Sequence, residues 1–178
     1  MCLKYDLAAN YKNYRNYGMK KSSIPPKIYK TIVNLMPVLT TDIILNCCPR
    51  GYLLTKRKNH PLKGKWWLIG GRVLKGETLA DAAKRKVFEE TGIKLNNLYF
   101  VGYYEDFFNN SAHGVPSHTV SLVFYSNIKD NNLKIKLDYQ SNNWKFSDTL
   151  PKRFLVHYAR TPYKTLDVKN KKTHQIYK

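Results

Sequence analysis

The stretch GGRVLKGETLADAAKRKVFEETGI, residues 70–93, constrains the fold more than any other part of the chain. Paired glycines at its start belong to a tight connection in which backbone approaches something closely. From Thr78 onward, Leu79, Ala82, Ala83 and Val87 recur at helical spacing, and Gly92 supplies the C-terminal stop. A glycine-rich loop must therefore hand over to a helix. On that helix Arg85 lies beside Glu89 and Lys86 beside Glu90, each pair four residues apart. Two adjacent carboxylates, with Glu77 near them, repel one another. Two readings follow: a hard cation, magnesium above all, gathers the acids and grips phosphate oxygens, or the helix is a solvated face of alternating charge.

The remaining elements can be read around this unit. KIYKTIVNLM places Ile28, Ile32, Val33 and Met36 on one side of a short helix that Pro37 closes. VLTTDIILNC (38–47) and GYLLTKR (51–57) are β-rich and separated by a Pro-Arg-Gly turn, the pattern of a hairpin. Trp66 to Ile69 reads as a short strand, LYFVGYYEDFF and HTVSLVFYSNI as two long ones joined by a polar loop, NNWKFS as another, and 150–160 as a final helix. The expected class is α/β (α+β), with mixed strands and two or three helices in one sandwich. With 178 residues the chain has room for one well-cored domain. The division expected is a basic N-terminal extension at 1–24, the domain at 25–160 and a basic C-terminal tail at 161–178.

Charge and cysteine usage narrow the class further. Of the net +19, residues 1–30 carry +6 and residues 151–178 carry +7, so the excess sits mostly in the flanks. That favours contact with polyanions, RNA among them, although a lysine-rich composition alone also produces it. Cys2, Cys47 and Cys48 suit neither a disulfide framework nor zinc spacing and are expected to be free thiols. No apolar run of about 18 residues and no secretory signal is visible. A cytoplasmic protein with no membrane partner is expected.

The full spacing is Gly71, five residues, Glu77, seven residues, Arg85, then Glu89, Glu90, Gly92 and Ile93. This resembles the Nudix box, the loop–helix motif of hydrolases acting on nucleoside diphosphates linked to another moiety. The resemblance implies a Nudix fold, a mixed β-sheet sandwiched between α-helices, and magnesium as cofactor, with manganese as a substitute. Lys86 departs from the pattern, which has glutamate after the arginine. An ammonium cannot coordinate a metal, so fewer ions are expected, with Lys86 either meeting phosphate or pairing with Glu90. One branch that also lacks this glutamate is the GDP-mannose mannosyl hydrolases. GKWWLIGGRVLKGETLADAAKR, PVLTTDIIL, LLTKRKNHP, YYEDFF and SHTVSLVF are similar to it over roughly residues 25–160.

Carried over position by position, the resemblance implies metal ligation by the Gly70 carbonyl, the Glu90 carboxylate and the Gln140 side-chain oxygen. Arg57, Arg72 and Arg85 would surround the diphosphate, with Lys86 as a further phosphate contact, and Asp42 would lie near the sugar. Glu89 and Glu90 are the catalytic carboxylates it implies. The match fails at Ser141, where that branch has a histidine as general base; a hydroxyl cannot accept a proton near neutral pH. His113, His118, Glu105 and Asp106 are the alternatives. The favoured substrate is a nucleotide sugar such as GDP-mannose, cleaved to GDP and sugar. Alternatives are attack at phosphorus in another nucleoside diphosphate derivative or an RNA cap, and a nucleotide-binding module with little catalysis. A homodimer is also open. Trp66 and Trp67, Tyr103 and Tyr104, and Phe107 and Phe108 read as pairs with one member inside and one available to stack.

Overall fold

The computed structural model describes residues 24–129, 133–159, 166–167 and 172–173. The expected extension (1–24) and tail (161–178) lie outside these, save residue 24 and two short strands, β8 (Leu166–Asp167) and β9 (Lys172–Thr173), which pair with each other.

Strand β1 (Val38–Cys47) organises the main sheet. Ile43, Leu45 and Cys47 enter one core cluster while Ile44 enters another on the opposite face, the period of two that a strand imposes. Because both faces are covered, its sequence is an almost unbroken apolar run. β1 runs parallel to β6 (Ser117–Ile128) and antiparallel to β4 (Ile69–Arg72). The expected hairpin between β1 and β2 (Tyr52–Arg57) pairs only at Asn46 and Tyr52, beyond which the strands diverge. β5 (Tyr99–Phe108) flanks β6 on the outside, while β3 (Trp66–Trp67) and β7 (Ser141–Ser147) flank β2. The order is β3-β2-β1-β6-β5, with β4 on β1 and β7 on β2, seven strands of mixed direction.

Helices cover both faces. α2 (Leu79–Thr91) places Ala83 and Val87 against Ile43, Leu45 and Ile69, while α3 (Lys152–Ala159) places Phe154 and Tyr158 against Ile44, Leu54 and Val123. Each such large apolar side chain, taken fully out of water, contributes roughly 1.5–3 kcal/mol. α1 (Pro26–Leu35) begins with proline at its first turn, where no N–H is needed, and buries Val33. Its Ile28 and Met36 remain exposed. The mixed sheet between helices is the fold class expected from the sequence. Residues 66–69, expected as one strand, divide at Leu68, because Trp66–Trp67 follow β2 and Ile69 onward follows β1 once those two have parted. Leu79, expected on the buried face of its helix, is exposed at the first turn. Cys47 and Cys48 are free thiols, as expected. No helix among the described residues is long and apolar enough to cross a membrane.

Candidate active site

The loop and helix of residues 70–93 form a single braced unit. Thr78 caps α2, its hydroxyl accepting from the Asp81 N–H at 3.0 Å, and Gly92 ends it with φ 75°. At Gly70 a Cβ would collide with the Thr41 carbonyl and the Asp42 carboxylate, and at Gly71 it would stand 2.6 Å from Lys86 Cε. The paired glycines are thus required by close approach on both sides. Lys86 runs beneath Gly71, and its Nζ lies 2.8 Å from Glu90 Oε1 and 3.8 Å from Glu89 Oε2. Lys86 and Glu90 are both buried. Burial pushes the Glu90 carboxyl up to about 7 even though Lys86 and Arg57 oppose the shift.

Arg85 is the brace. Its guanidinium donates to both oxygens of Glu77, to Glu89 Oε2 at 3.0 Å and to the Arg72 carbonyl at 3.0 Å, tying loop to helix. Glu77 also accepts from the Leu74 N–H at 2.9 Å. Burial opposes ionisation of Glu77, but the Arg85 guanidinium and that N–H outweigh it and hold the carboxyl below its usual range.

Beside this unit a cavity of ≈ 210 Å³ opens on the face of the sheet covered by α3. Thr40 and Asp42 of β1, Ser117, Thr119 and Ser121 of β6, and Tyr104 and Asp106 of β5 supply one part of its lining. Across β1 from these strands come Arg57 from β2 and Gly70, Gly71 and Arg72 from β4. Tyr29 of α1 closes over it, with the Arg72 guanidinium 4.3 Å from its ring centroid. Asp42 accepts from the Tyr104 hydroxyl, and burial pushes its carboxyl up to about 6 despite that bond and the charge of Arg57. Arg57, anchored by Nε to the Pro61 carbonyl at 2.8 Å, is electrostatically coupled to both Asp42 and Glu90. It links the cavity to the box helix. Arg85, Lys86, Glu89, Glu90 and Gln140 do not line the cavity.

A family model described as the NUDIX domain matches residues 36–159. The chain belongs to the Nudix family. Among its relatives, the low-salt glycan biosynthesis protein Agl8 of Haloferax volcanii is 33% identical over 124 residues, covering 68% of this chain and 79% of Agl8. The ADP-ribose pyrophosphatase of Methanocaldococcus jannaschii is 33% identical over 146 residues, 82% of this chain and 81% of that protein. The solved structure of a MutT protein from Methanosarcina mazei superposes with a TM-score of 0.56 at 23% identity, covering 70% of this chain and 92% of that one.

Nudix hydrolases generally use a divalent metal ion. In this member the donors near Glu90 are all oxygens, as a hard cation requires. Asp138 is close enough to raise the Glu90 carboxyl, and Gln140 donates its side-chain nitrogen to Asp138 at 3.2 Å, leaving its Oε1 as an acceptor. Gly70 adjoins the point where Lys86 passes under the loop. Among the described residues, no three His, Cys, Asp or Glu side chains converge as a multi-ion centre would need. Within this group the Lys86 ammonium partly offsets the carboxylate charge of Glu90.

The alternatives weighed for the missing base separate cleanly. Ser141 is buried in β7 opposite Arg57. His113 and Asp106 line the cavity, whereas His118 stacks on Phe107 at 4.3 Å and approaches exposed Glu105 to 4.0 Å, neither of them in the lining. Asp106 is held by Arg153. Tyr29, Asp138 and the hydroxyls of Ser117, Thr119 and Ser121 were not among the expected site residues. The alternating hydroxyls of SHTVS carried the one readable signal, three polar side chains on one face of a strand.

Proposed function

We propose that the chain is a Nudix hydrolase of a nucleoside diphosphate-linked sugar. The observation that carries this reading is the division of the cavity lining across β1, with the guanidiniums of Arg57 and Arg72 on one side and carboxylates and hydroxyls on the other. Guanidiniums give charge-assisted, bidentate hydrogen bonds to a diphosphate. Asp42 and the hydroxyls of Ser117, Thr119 and Ser121 are acceptors and donors suited to a polyol. Ser117 Oγ is buried without a hydrogen-bond partner among the described residues and lines the cavity, so a ligand hydroxyl would satisfy it.

A single magnesium ion held by Glu90, Gln140 and the Gly70 carbonyl, with Asp138 beside them, would supply positive charge to the phosphate oxygens. Arg57 and Arg72 orient the diphosphate and stabilise charge on the departing nucleotide. His113, which lines the cavity and packs edge-on against Tyr29 while Asp106 is held by Arg153, takes the proton from the attacking water.

GDP-mannose is the first substrate to test, because the sequence match runs through Asp42, Arg57, Arg72 and Gln140. ADP-ribose is the second, because a relative matched over most of its length bears that activity in its name. Hydrolysis in oxygen-18 water separates the routes. Label on the free sugar with unlabelled GDP means attack at carbon, the expected result. Label on a phosphate, with a nucleoside monophosphate as product, means attack at phosphorus. Either route needs Arg57, so Arg57→Ala should lower kcat/KM by a factor corresponding to roughly 2–4 kcal/mol. An unchanged rate on every nucleotide sugar tried would remove this cavity from the reaction.

A further inference from the structure

A second surface lies on the far side of the loop that borders the cavity. Between Asp42 and Glu77 the chain carries eight lysines and arginines and no acidic residue. Loop 58–65 has two roles: His60, Pro61 and Leu62 line the cavity, while Lys58, Lys63 and Lys65 are exposed. The loop leads straight into Trp66 of β3, a partly exposed indole that two lysines from neighbouring strands approach. Lys145 Nζ of β7 is 4.9 Å from the ring centroid and Lys56 Nζ of β2 is 6.0 Å from it. Trp66 and the cavity-lining Leu62 pack against the same core cluster, so surface and cavity share one face of the sheet. None of these lysines forms an ion pair among the described residues.

Like charges drawn to one ring without a carboxylate between them repel, and a ligand that brings negative charge and a flat apolar face relieves that repulsion. A sugar–phosphate chain with bases does both. A surface serving only solubility needs no aromatic at the point where the lysines meet, and loop lysines alone would leave the indole unexplained. An acidic peptide would satisfy the charge but bring no flat base to stack on the partly exposed indole. We propose that Lys56, Trp66 and Lys145, with the exposed lysines of loop 58–65, bind single-stranded nucleic acid that runs past the cavity mouth. The lysines neutralise backbone phosphates and Trp66 stacks on a base. This site is separate from the nucleotide-sugar reading and stands or falls independently of it.

The test uses the full chain and a fluorescein-labelled 12-nucleotide single-stranded RNA, read by anisotropy across a salt series. The double substitution Lys56→Gln and Lys145→Gln should weaken binding at least tenfold and reduce the slope of log affinity against log salt by about 1.4, two phosphates' worth for a single strand. Trp66→Leu should weaken binding roughly tenfold with the slope unchanged. As a charge-matched control, Lys94→Gln with Lys134→Gln, on the opposite side of the box helix unit in sequence, should have little effect. Hydrolysis of a small nucleotide substrate should stay within twofold of wild type in the lysine variants, since neither side chain lines the cavity. Three results would overturn the proposal: equal weakening in the control pair, equally tight binding of a duplex of the same sequence, or an unchanged affinity in the Trp66 variant with its melting temperature preserved. A loss of hydrolysis by Arg57→Ala with RNA binding intact would confirm that the two sites are distinct.

Discussion

Lys86 is the residue at which this chain departs most from its family pattern, and its position makes the consequence measurable. The ammonium is 2.8 Å from Glu90 and buried with it, so any cation that Glu90 held would have to compete with it. Removing it has two opposed effects. Without an ion present, Lys86→Met strands a buried carboxylate, and breaking such a pair costs about 3–5 kcal/mol. With an ion present, the competing cation is gone. The variant should therefore melt well below wild type in chelator yet gain more from added metal, with manganese binding by electron paramagnetic resonance tightened about tenfold, near 1.4 kcal/mol. Metal affinity equal to wild type would show that Lys86 and the ion do not share Glu90. Glu90→Gln, by contrast, should lose both metal affinity and turnover, because an amide brings no charge to a hard cation.

At the level of elements, Arg85 welds the glycine loop to α2 through Glu77, Glu89 and the Arg72 carbonyl. Its bond to the Arg72 carbonyl ties the loop that carries Arg72 to the helix. Arg85→Ala should cost about 2 kcal/mol of stability, given charge-assisted bonds to partners only partly exposed, and should raise KM through misplaced Arg72; chemical denaturation and steady-state kinetics would check each. A full-stability variant would mean the loop holds itself. This unit was legible in the sequence because its chemistry is local: helical spacing, a capping threonine, a terminal glycine and paired charges all fall within two dozen residues. The pairing of Lys86 with Glu90 was one of the two outcomes its spacing allowed. The cavity was far less legible. Asp42, Ser121 and Tyr104 meet only because β1 pairs in parallel with β6, roughly 80 residues away, and β6 with β5. Nothing in the local pattern of any one strand states that order. Tyr29 closes the cavity from a helix read only as amphipathic, and Asp138 sits in a segment with no periodicity at all.

For the whole molecule, burial of Asp42 and Glu90 sets how stability depends on pH. Their carboxyls rise from ordinary values of 3.8 and 4.5 to about 6 and about 7, with burial the largest cause for each. A raised carboxylate holds its proton more tightly folded than unfolded. Between about pH 4 and pH 7 the folded chain therefore binds more protons than the unfolded one, and stability falls as pH rises through that window, by on the order of 6 kcal/mol for the two groups together. Comparison with Asp42→Asn and Glu90→Gln isolates these two carboxyls, since the variants keep every other titratable group. In chelator, wild type should lose stability from pH 5 to pH 7.5 relative to the double variant, which lacks both carboxyls. Magnesium at pH 7.5 should raise the melting temperature of wild type by restoring a counter-charge to Glu90, and leave Glu90→Gln unmoved. Parallel pH curves for wild type and double variant would mean that both carboxyls titrate in the folded chain as they do in water, and the two sites would then be open to solvent in a way their burial denies.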